Sequence, residues 1–283
     1  MAKAQVTRHP TRRSRRPDGV RRPKLKPVAH FTAPERRAAG KAVRAEVPRS
    51  AHAAWEPAPD RRDPVELMEE QAASRVPELV PIRHGRMLVS PFTFFRGAAA
   101  HMAADLAAAP RTGLDVQLCG DAHLSNFGAF AAPDRRLVFS VNDFDETLPG
   151  PFEWDVKRLV ASFAVAGRDR GFGVKERQSI NRAVTGAYRE AIRGFAAVSN
   201  LDLWYSRIDV DEIAALAAQH GSRQEQKQFE RNRAKAQSKD SLRAFAKLTT
   251  VVNGERRIAS DPPLIVPIED VVGDGMAPGE REE

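Results

Sequence analysis

The sequence predicts an α+β fold in which a few short strands, carrying polar loops, precede a helix-rich region. Two short runs, LDVQLCG at 114–120 and RRLVFSVNDFD at 135–145, are rich in the β-branched and aromatic residues typical of strands. After position 150, longer runs repeat apolar residues at helical spacing. The chain has 283 residues, enough for one large domain or two smaller ones with a real core.

The N-terminal region is strongly basic. Residues 1–50 carry 15 Lys and Arg against 3 Asp and Glu, a net charge of +12, whereas the whole chain carries +8, so the other 233 residues carry −4. Residues 1–34 are predicted to be a disordered tail, because Pro and Arg dominate and large apolar side chains are few. Such a tail could contact nucleic acid through its phosphates. A solubilising extension is the favoured interpretation, because no aromatic residues alternate with the charges.

The remaining composition limits the class of protein. No apolar run approaches the ~20 residues of a membrane span, which predicts no membrane partner. Cys119 is the single cysteine, so no internal disulfide can form and a cytoplasmic location is expected. Residues 271–283 are polar and without periodicity, and are predicted to be a disordered tail that leaves a domain at 35–270.

Three elements are expected between the tail and the strand predicted at 114–120. DPVELMEEQAASRV at 63–76 predicts a helix with Asp63 as its cap and Pro64 at its first position. GRMLVSPFTFF at 85–95 resembles a strand interrupted by a proline. RGAAAHMAADLAAAP at 96–110 predicts a small Ala-rich helix.

The C-terminal half is predicted to be mainly helical. Apolar spacing predicts helices over 152–168, 174–199 and 223–248. TTVVNGERRIAS at 249–260 predicts a hairpin, because Asn-Gly between β-forming residues is a strong short-range hairpin signal.

Acidic and amide side chains follow both predicted strands. Asp121 and Asn126 lie five residues apart after the first strand, and Asp143 and Asp145 end the second. If the two strands are neighbours, these side chains meet at one edge, where carboxylate and amide oxygens suit Mg²⁺ and a further carboxylate could deprotonate a hydroxyl. Those are the components of phosphoryl transfer. The alternative is turn chemistry, because Asp and Asn favour turns by themselves.

The segment GDAHLSN at 120–126 resembles the Gly-Asp-x-x-x-x-Asn catalytic loop of aminoglycoside phosphotransferases and choline kinases. VNDFDE resembles their next motif, and PGPFEWDVKRLVAS resembles the helix that follows. The resemblance implies a protein-kinase-like catalytic half with Asp121 as catalytic base, Asn126 and Asp143 as Mg²⁺ ligands, and Asp155 supporting the loop. It also implies ATP as phosphate donor and a small-molecule hydroxyl as acceptor.

More closely, the chain is similar over roughly residues 35–270 to the bacterial domain-of-unknown-function family 2252. The similarity lies in SPFTFFRGAA, CGDAHLSNFG, NDFDETLPGPFEWDVKRL, LWYSRID and SDPPLIVPIED. Residues 1–118 contain no G-x-G-x-x-G, and in that family a glycine-rich stretch and a Lys-Glu strand come later than the end of this chain. The resemblance therefore implies a chain truncated at its C-terminus that holds the acidic half of the site.

Several nearby residues have two interpretations. His123 could contact phosphate or metal, or could hydrogen-bond within the loop, which is favoured. Asp145 could be a second metal ligand or could cap a turn. Arg96 could bind phosphate at a helix start or be an ordinary surface arginine. Lys157 and Arg158 could reach acidic groups near the site or could form the solvated face of their helix, which is favoured.

Four functions remain as hypotheses. The first is a Mg²⁺- and ATP-dependent small-molecule phosphotransferase. The second is a non-catalytic kinase-like domain that binds a ligand or partner, suggested by the missing glycine-rich loop. The third is a metal-dependent phosphoesterase, because GDAH also contains Asp-x-His, although the other histidines form no supporting motif. The fourth is nucleic-acid binding through the basic tail.

Overall fold

The computed structural model describes residues 31–134, 136–237, 241–268 and 270. Most of the predicted N-terminal tail and all of the predicted C-terminal tail lie outside these residues. Two compact units are distinguished, one ending at Ala42 and one beginning at Val43. Helix α1, Ala33–Glu46, starts two residues inside the predicted tail, because Thr32 and Glu35 form reciprocal hydrogen bonds at its first turn.

The second unit begins with short helices. They are α2 Pro64–Ala72, α3 Val80–Met87, α4 Pro91–Arg96 and α5 Ala99–Ala107. The prediction of α2 is confirmed, because Asp63 Oδ1 accepts from the backbone N–H groups of Val65 (2.6 Å) and Glu66 (3.3 Å). The helix predicted after residue 96 is also confirmed.

The strand predicted at 85–95 is wrong, because α3 ends and α4 begins there. Ser90 Oγ accepts from the Thr93 N–H (3.2 Å), and Thr93 Oγ1 accepts from the Ser90 N–H (2.7 Å). Pro91 occupies the first helical position, where its missing N–H costs nothing. This reciprocal cap starts a helix despite the strand-like aromatic residues that follow.

The strands of the central region form two small antiparallel sheets. β1 Asp115–Leu118 pairs with β4 Leu148–Pro151. β3 Leu137–Val141 pairs with β2 Phe127–Ala131 on one side and with β5 Ile208–Asp209 on the other. The strands predicted at 114–120 and 135–145 exist as β1 and β3, but they belong to different sheets and are not neighbours. The fold class is α+β.

Helices dominate the rest of the chain. They are α6 Phe152–Asp169, α7 Val174–Phe195, α8 Asn200–Tyr205, α9 Val210–His220, α10 Arg223–Gln237 and α11 Ser241–Leu248. The segment predicted as one helix over 223–248 thus contains α10 and α11, and the residues between them are not described. None of the described helices has the length and apolar character that a bilayer crossing requires.

The C-terminal hairpin is confirmed. β6 Thr249–Val252 pairs with β7 Glu255–Ile258. Asn253 and Gly254 have φ angles of 52° and 84°, the positive values that a two-residue hairpin turn of this type requires.

The interior near the end of β1 is unusually polar. Apolar residues such as Met87, Ala98, Leu118 and Ala122 are buried there. The same region buries five polar side chains: Asp121, His123, Asn126, Arg158 and Ser162. Because buried polar groups must be paired to be tolerated, their partners define the candidate site.

Candidate functional site

The candidate catalytic loop, residues 119–126, is fastened at its start by α6. The Asp155 carboxylate accepts hydrogen bonds from the backbone N–H groups of Cys119 (2.7 Å) and Gly120 (3.0 Å). Burial raises the pKa of the Asp155 carboxyl, whereas the two N–H groups stabilise its charged form. β4 leads directly into α6 and pairs with β1, so the sheet brings Asp155 beneath the loop. This position is the one that loop support requires.

Asn126 joins the candidate catalytic loop to the segment that follows β3. Its side-chain N–H₂ donates to the carbonyl oxygens of Asp121 (3.0 Å) and Asp143 (2.8 Å). The Asn142 N–H donates to the Asn126 carbonyl (3.0 Å) and extends the β2–β3 pairing by one step. Asp121, Asn126 and Asp143 are therefore brought together although β1 and β3 do not pair.

Asp121 forms a buried ion pair. Its Oδ1 accepts from Arg158 Nε (2.6 Å) and lies 2.5 Å from Arg158 Nη2. Arg158 is only 2% exposed, donates to the Phe95 carbonyl (2.9 Å), and places its guanidinium 4.5 Å from the centre of the Phe95 ring. The expectation that Arg158 belongs to a solvated face is wrong. The missed signal is its position three residues after Asp155, which puts both side chains on one face of α6.

His123 is held inside the loop and faces Asp121. Its Nδ1 accepts from the Ser125 N–H (3.2 Å), so the neutral ring carries its proton on Nε2, which lies 3.5 Å from Asp121 Oδ2. Burial lowers the pKa of His123; Asp121 acts in the opposite direction, and Arg158 and Arg96 lower it further. These contacts match the favoured interpretation of His123 as a residue that shapes the loop.

The lowered pKa of His123 makes stability depend on pH. Between its folded pKa and the ordinary value of 6.5, the unfolded chain binds more protons than the folded one. The free energy of unfolding should therefore fall as the pH drops below about 6.5. We expect His123→Asn to flatten this part of the profile, as measured by urea denaturation between pH 5 and 8. His84→Asn is the control, and an equal flattening in that variant would contradict the assignment.

A cavity of about 1100 Å³ opens beside the candidate catalytic loop. Its acidic lining consists of Asp121, Asp143, Asp145 and Glu146, with His123 beside them. Asp143 and Asp145 are exposed, and the Asp145 N–H points to Asp143 Oδ1 at 3.5 Å. Burial raises the pKa of the Glu146 carboxyl, and the nearby charge of Asp121 raises it further.

The remaining charged lining of this cavity is basic. It comes from residues 74–97 and includes Arg75, Arg83, Arg86 and Arg96. The suggested phosphate contact Arg96 is exposed and shares the cavity with the acidic residues. Sequence reasoning missed the other three arginines, because nothing in the local sequence separates them from ordinary basic residues at a surface.

The donor set suits a hard cation that arrives with its own ligands. Among the described residues, no three His, Cys, Asp or Glu side chains are grouped so as to hold a metal ion. The carboxylates of Asp143 and Asp145 lie at the cavity, and the Asn126 side-chain oxygen accepts no hydrogen bond from any described residue. Mg²⁺ is commonly bound by one or two protein carboxylates together with substrate phosphates, and these residues fit that mode.

The cysteine beside the loop is unsuited to nucleophilic chemistry. Burial, with the nearby Asp155 charge, raises the pKa of the Cys119 thiol to about 11. A thiol with such a pKa carries almost no thiolate at neutral pH. Cys119 is therefore interpreted as a partly buried packing residue.

Comparison with known proteins gives one match. The family model DUF2252, described as an uncharacterised protein conserved in bacteria, matches residues 75–279. No curated protein and no solved structure matches the chain. The matched range includes the candidate catalytic loop, Asp143, α6 and all four arginines of the cavity. Because the match covers more than half of the sequence, the chain belongs to the DUF2252 family.

Proposed function

We propose that this chain is a Mg²⁺-dependent phosphotransferase domain with a protein-kinase-like catalytic half, which transfers phosphate from ATP to the hydroxyl of a small molecule. The observation that carries the proposal is the Asn126 bridge between the backbones of Asp121 and Asp143. It holds a candidate base and a candidate metal ligand beside one cavity, in a loop whose residue order resembles that of aminoglycoside phosphotransferases. Asp155 fixes the start of the same loop.

The residues divide the chemistry between them. Asp121 orients the acceptor hydroxyl and accepts its proton as the oxygen attacks the terminal phosphate and the bond to ADP breaks. Arg158 fixes the position of the Asp121 carboxylate. Asp143 and Asn126 would hold Mg²⁺, which neutralises charge on the transferred phosphate.

The first test is the effect of Asp143 on binding of ATP with Mg²⁺. We expect calorimetric titration to show binding by the unmodified chain and an affinity at least about tenfold lower for Asp143→Asn, which removes one charged metal ligand. Asp115→Asn is the matched control, because Asp115 is exposed on β1 and its side chain forms no hydrogen bond or ion pair with the described residues. Equal affinities in the two variants, or no binding by the unmodified chain, would contradict the proposal.

A non-catalytic ligand-binding domain is the second candidate. It is favoured by the partners of Asp121, because Arg158 and His123 already face both of its carboxylate oxygens. Consumption of ATP in the presence of mixed small-molecule alcohols separates the two candidates. In a phosphotransferase, Asp121→Asn abolishes transfer and retains nucleotide binding. Nucleotide binding without any transfer by the unmodified chain would instead support the second candidate.

A further inference from the structure

Four arginines line the cavity without acidic partners. Arg75, Arg83, Arg86 and Arg96, here named the arginine wall, make no ion pair with any residue that the structure describes. One unpaired arginine on a surface is ordinary. Four in the lining of one cavity concentrate positive charge there, which favours an anionic ligand.

Arg83 shows that this charge is built into the fold. Its Nη2 donates to the Gly97 carbonyl (2.8 Å), and its Nη1 contacts Met87 Sδ (2.8 Å). These neutral partners orient the guanidinium without cancelling its charge. Burial lowers the pKa of Arg83, the positive charge of Arg75 adds to that effect, and the negative charge of Glu146 opposes it. The guanidinium therefore lies in a partly desolvated position beside a like charge.

Three of the four carboxylates that line the same cavity also lack a cation in ion-pair contact, and the fourth, Asp121, pairs with Arg158. Asp143, Asp145 and Glu146 form no ion pair within the described part of the chain. Arginines and carboxylates thus share one cavity without a direct ion pair between them among the described residues, although the charge of Glu146 acts favourably on Arg83. This separation of charge complements a ligand that carries both signs of charge. Its anionic groups would lie toward the arginines, and a divalent cation bound to it would lie toward the carboxylates.

We propose that the arginine wall binds the phosphate groups of a polyphosphate chain, in the role that a glycine-rich loop has in the phosphotransferases this chain resembles. Guanidinium groups suit this role because each can form two parallel hydrogen bonds to phosphate oxygens. Of the four, Arg96 is the arginine whose charge acts on His123 in the candidate catalytic loop. The inference rests on the proposed function where it says that the bound phosphate is transferred. The binding of phosphate to the arginine wall does not depend on that function.

Inorganic tripolyphosphate tests the arginine wall apart from any phosphate transfer. We expect the chain to bind tripolyphosphate in calorimetric titration without metal, and Arg86→Gln and Arg96→Gln each to weaken binding about tenfold. Both side chains are exposed and make no hydrogen bond to described residues, so the variants should keep their thermal midpoints. Arg111→Gln is the matched control, because Arg111 is exposed and does not line the cavity.

The results separate this inference from the proposed function. Absence of tripolyphosphate binding, or equal affinities for Arg86→Gln, Arg96→Gln and Arg111→Gln, would overturn the arginine wall. Displacement of tripolyphosphate by ATP would place the nucleotide phosphates on the same residues, and ATP binding without displacement would overturn their assignment to the wall. If tripolyphosphate binds as expected but no phosphate is ever transferred, only the proposed function fails.

Discussion

Arg158→Met is expected to lower the free energy of unfolding by about 3–5 kcal/mol. The side chain is 2% exposed, and its charge is matched by the Asp121 carboxylate at 2.5–2.6 Å. Methionine keeps most of the volume but removes the cation, so Asp121 would remain buried with an uncompensated charge. The Phe95 carbonyl would also lose the Arg158 donor, although it keeps the hydrogen bond from the Ala98 N–H (3.2 Å). Urea denaturation at pH 7 measures the change.

A double-mutant cycle distinguishes the ion pair from packing. Adding Asp121→Asn to Arg158→Met removes the uncompensated charge, so the double variant should be more stable than the single one. Lys157→Met is the control, because it is the neighbouring position of the same helix and forms no ion pair with the described residues. A loss for Arg158→Met within about 1 kcal/mol of that control would show that the pair contributes little.

The elements that could be predicted from the sequence are those specified by local contacts. The cap of α2 by Asp63 and the turn at Asn253 and Gly254 depend on residues within four positions of each other. The strand predicted at 85–95 is wrong because the local cap formed by Ser90 and Thr93 starts a helix there, in spite of the strand-like apolar and aromatic pattern. Strand pairing could not be predicted, since β1 and its partner β4 are separated by a complete hairpin.

The same division applies to the candidate site. The sequence shows four candidate site residues in a characteristic order, and the structure brings them together: Asp121, Asn126, Asp143 and Asp155. The arginine wall could not be predicted, because it depends on how α3, α4 and the segment after α2 that carries Arg75 lie around the cavity beside the candidate catalytic loop. Arg158 is an intermediate case. Its spacing from Asp155 can be seen in the sequence, but its burial depends on where the fold places Phe95 and Asp121.

Gly120→Ala is the second substitution with a large expected effect. Gly120 has φ +82°, a value that costs a residue with a side chain about 1–2 kcal/mol. A Cβ atom at this position would lie 2.0 Å from the Glu146 carbonyl oxygen and 2.6 Å from its carbon, which are backbone atoms. Because backbone cannot rotate aside as a side chain can, we expect a total loss of about 3 kcal/mol or more in the free energy of unfolding.

Gly113→Ala separates the two contributions. Gly113 has φ +71° and precedes β1, as Gly120 follows it, but a Cβ atom there would meet no described residue within 4 Å apart from its chain neighbours. The loss in the free energy of unfolding for Gly113→Ala should therefore stay near the conformational cost of about 1 kcal/mol. Equal losses for Gly113→Ala and Gly120→Ala would contradict the close approach at Gly120. The difference between the variants, measured by urea denaturation, reports how tightly the segment containing Glu146 packs on the candidate catalytic loop. Since that segment also carries Asp143, Gly120→Ala should weaken binding of ATP with Mg²⁺ while Gly113→Ala leaves it unchanged.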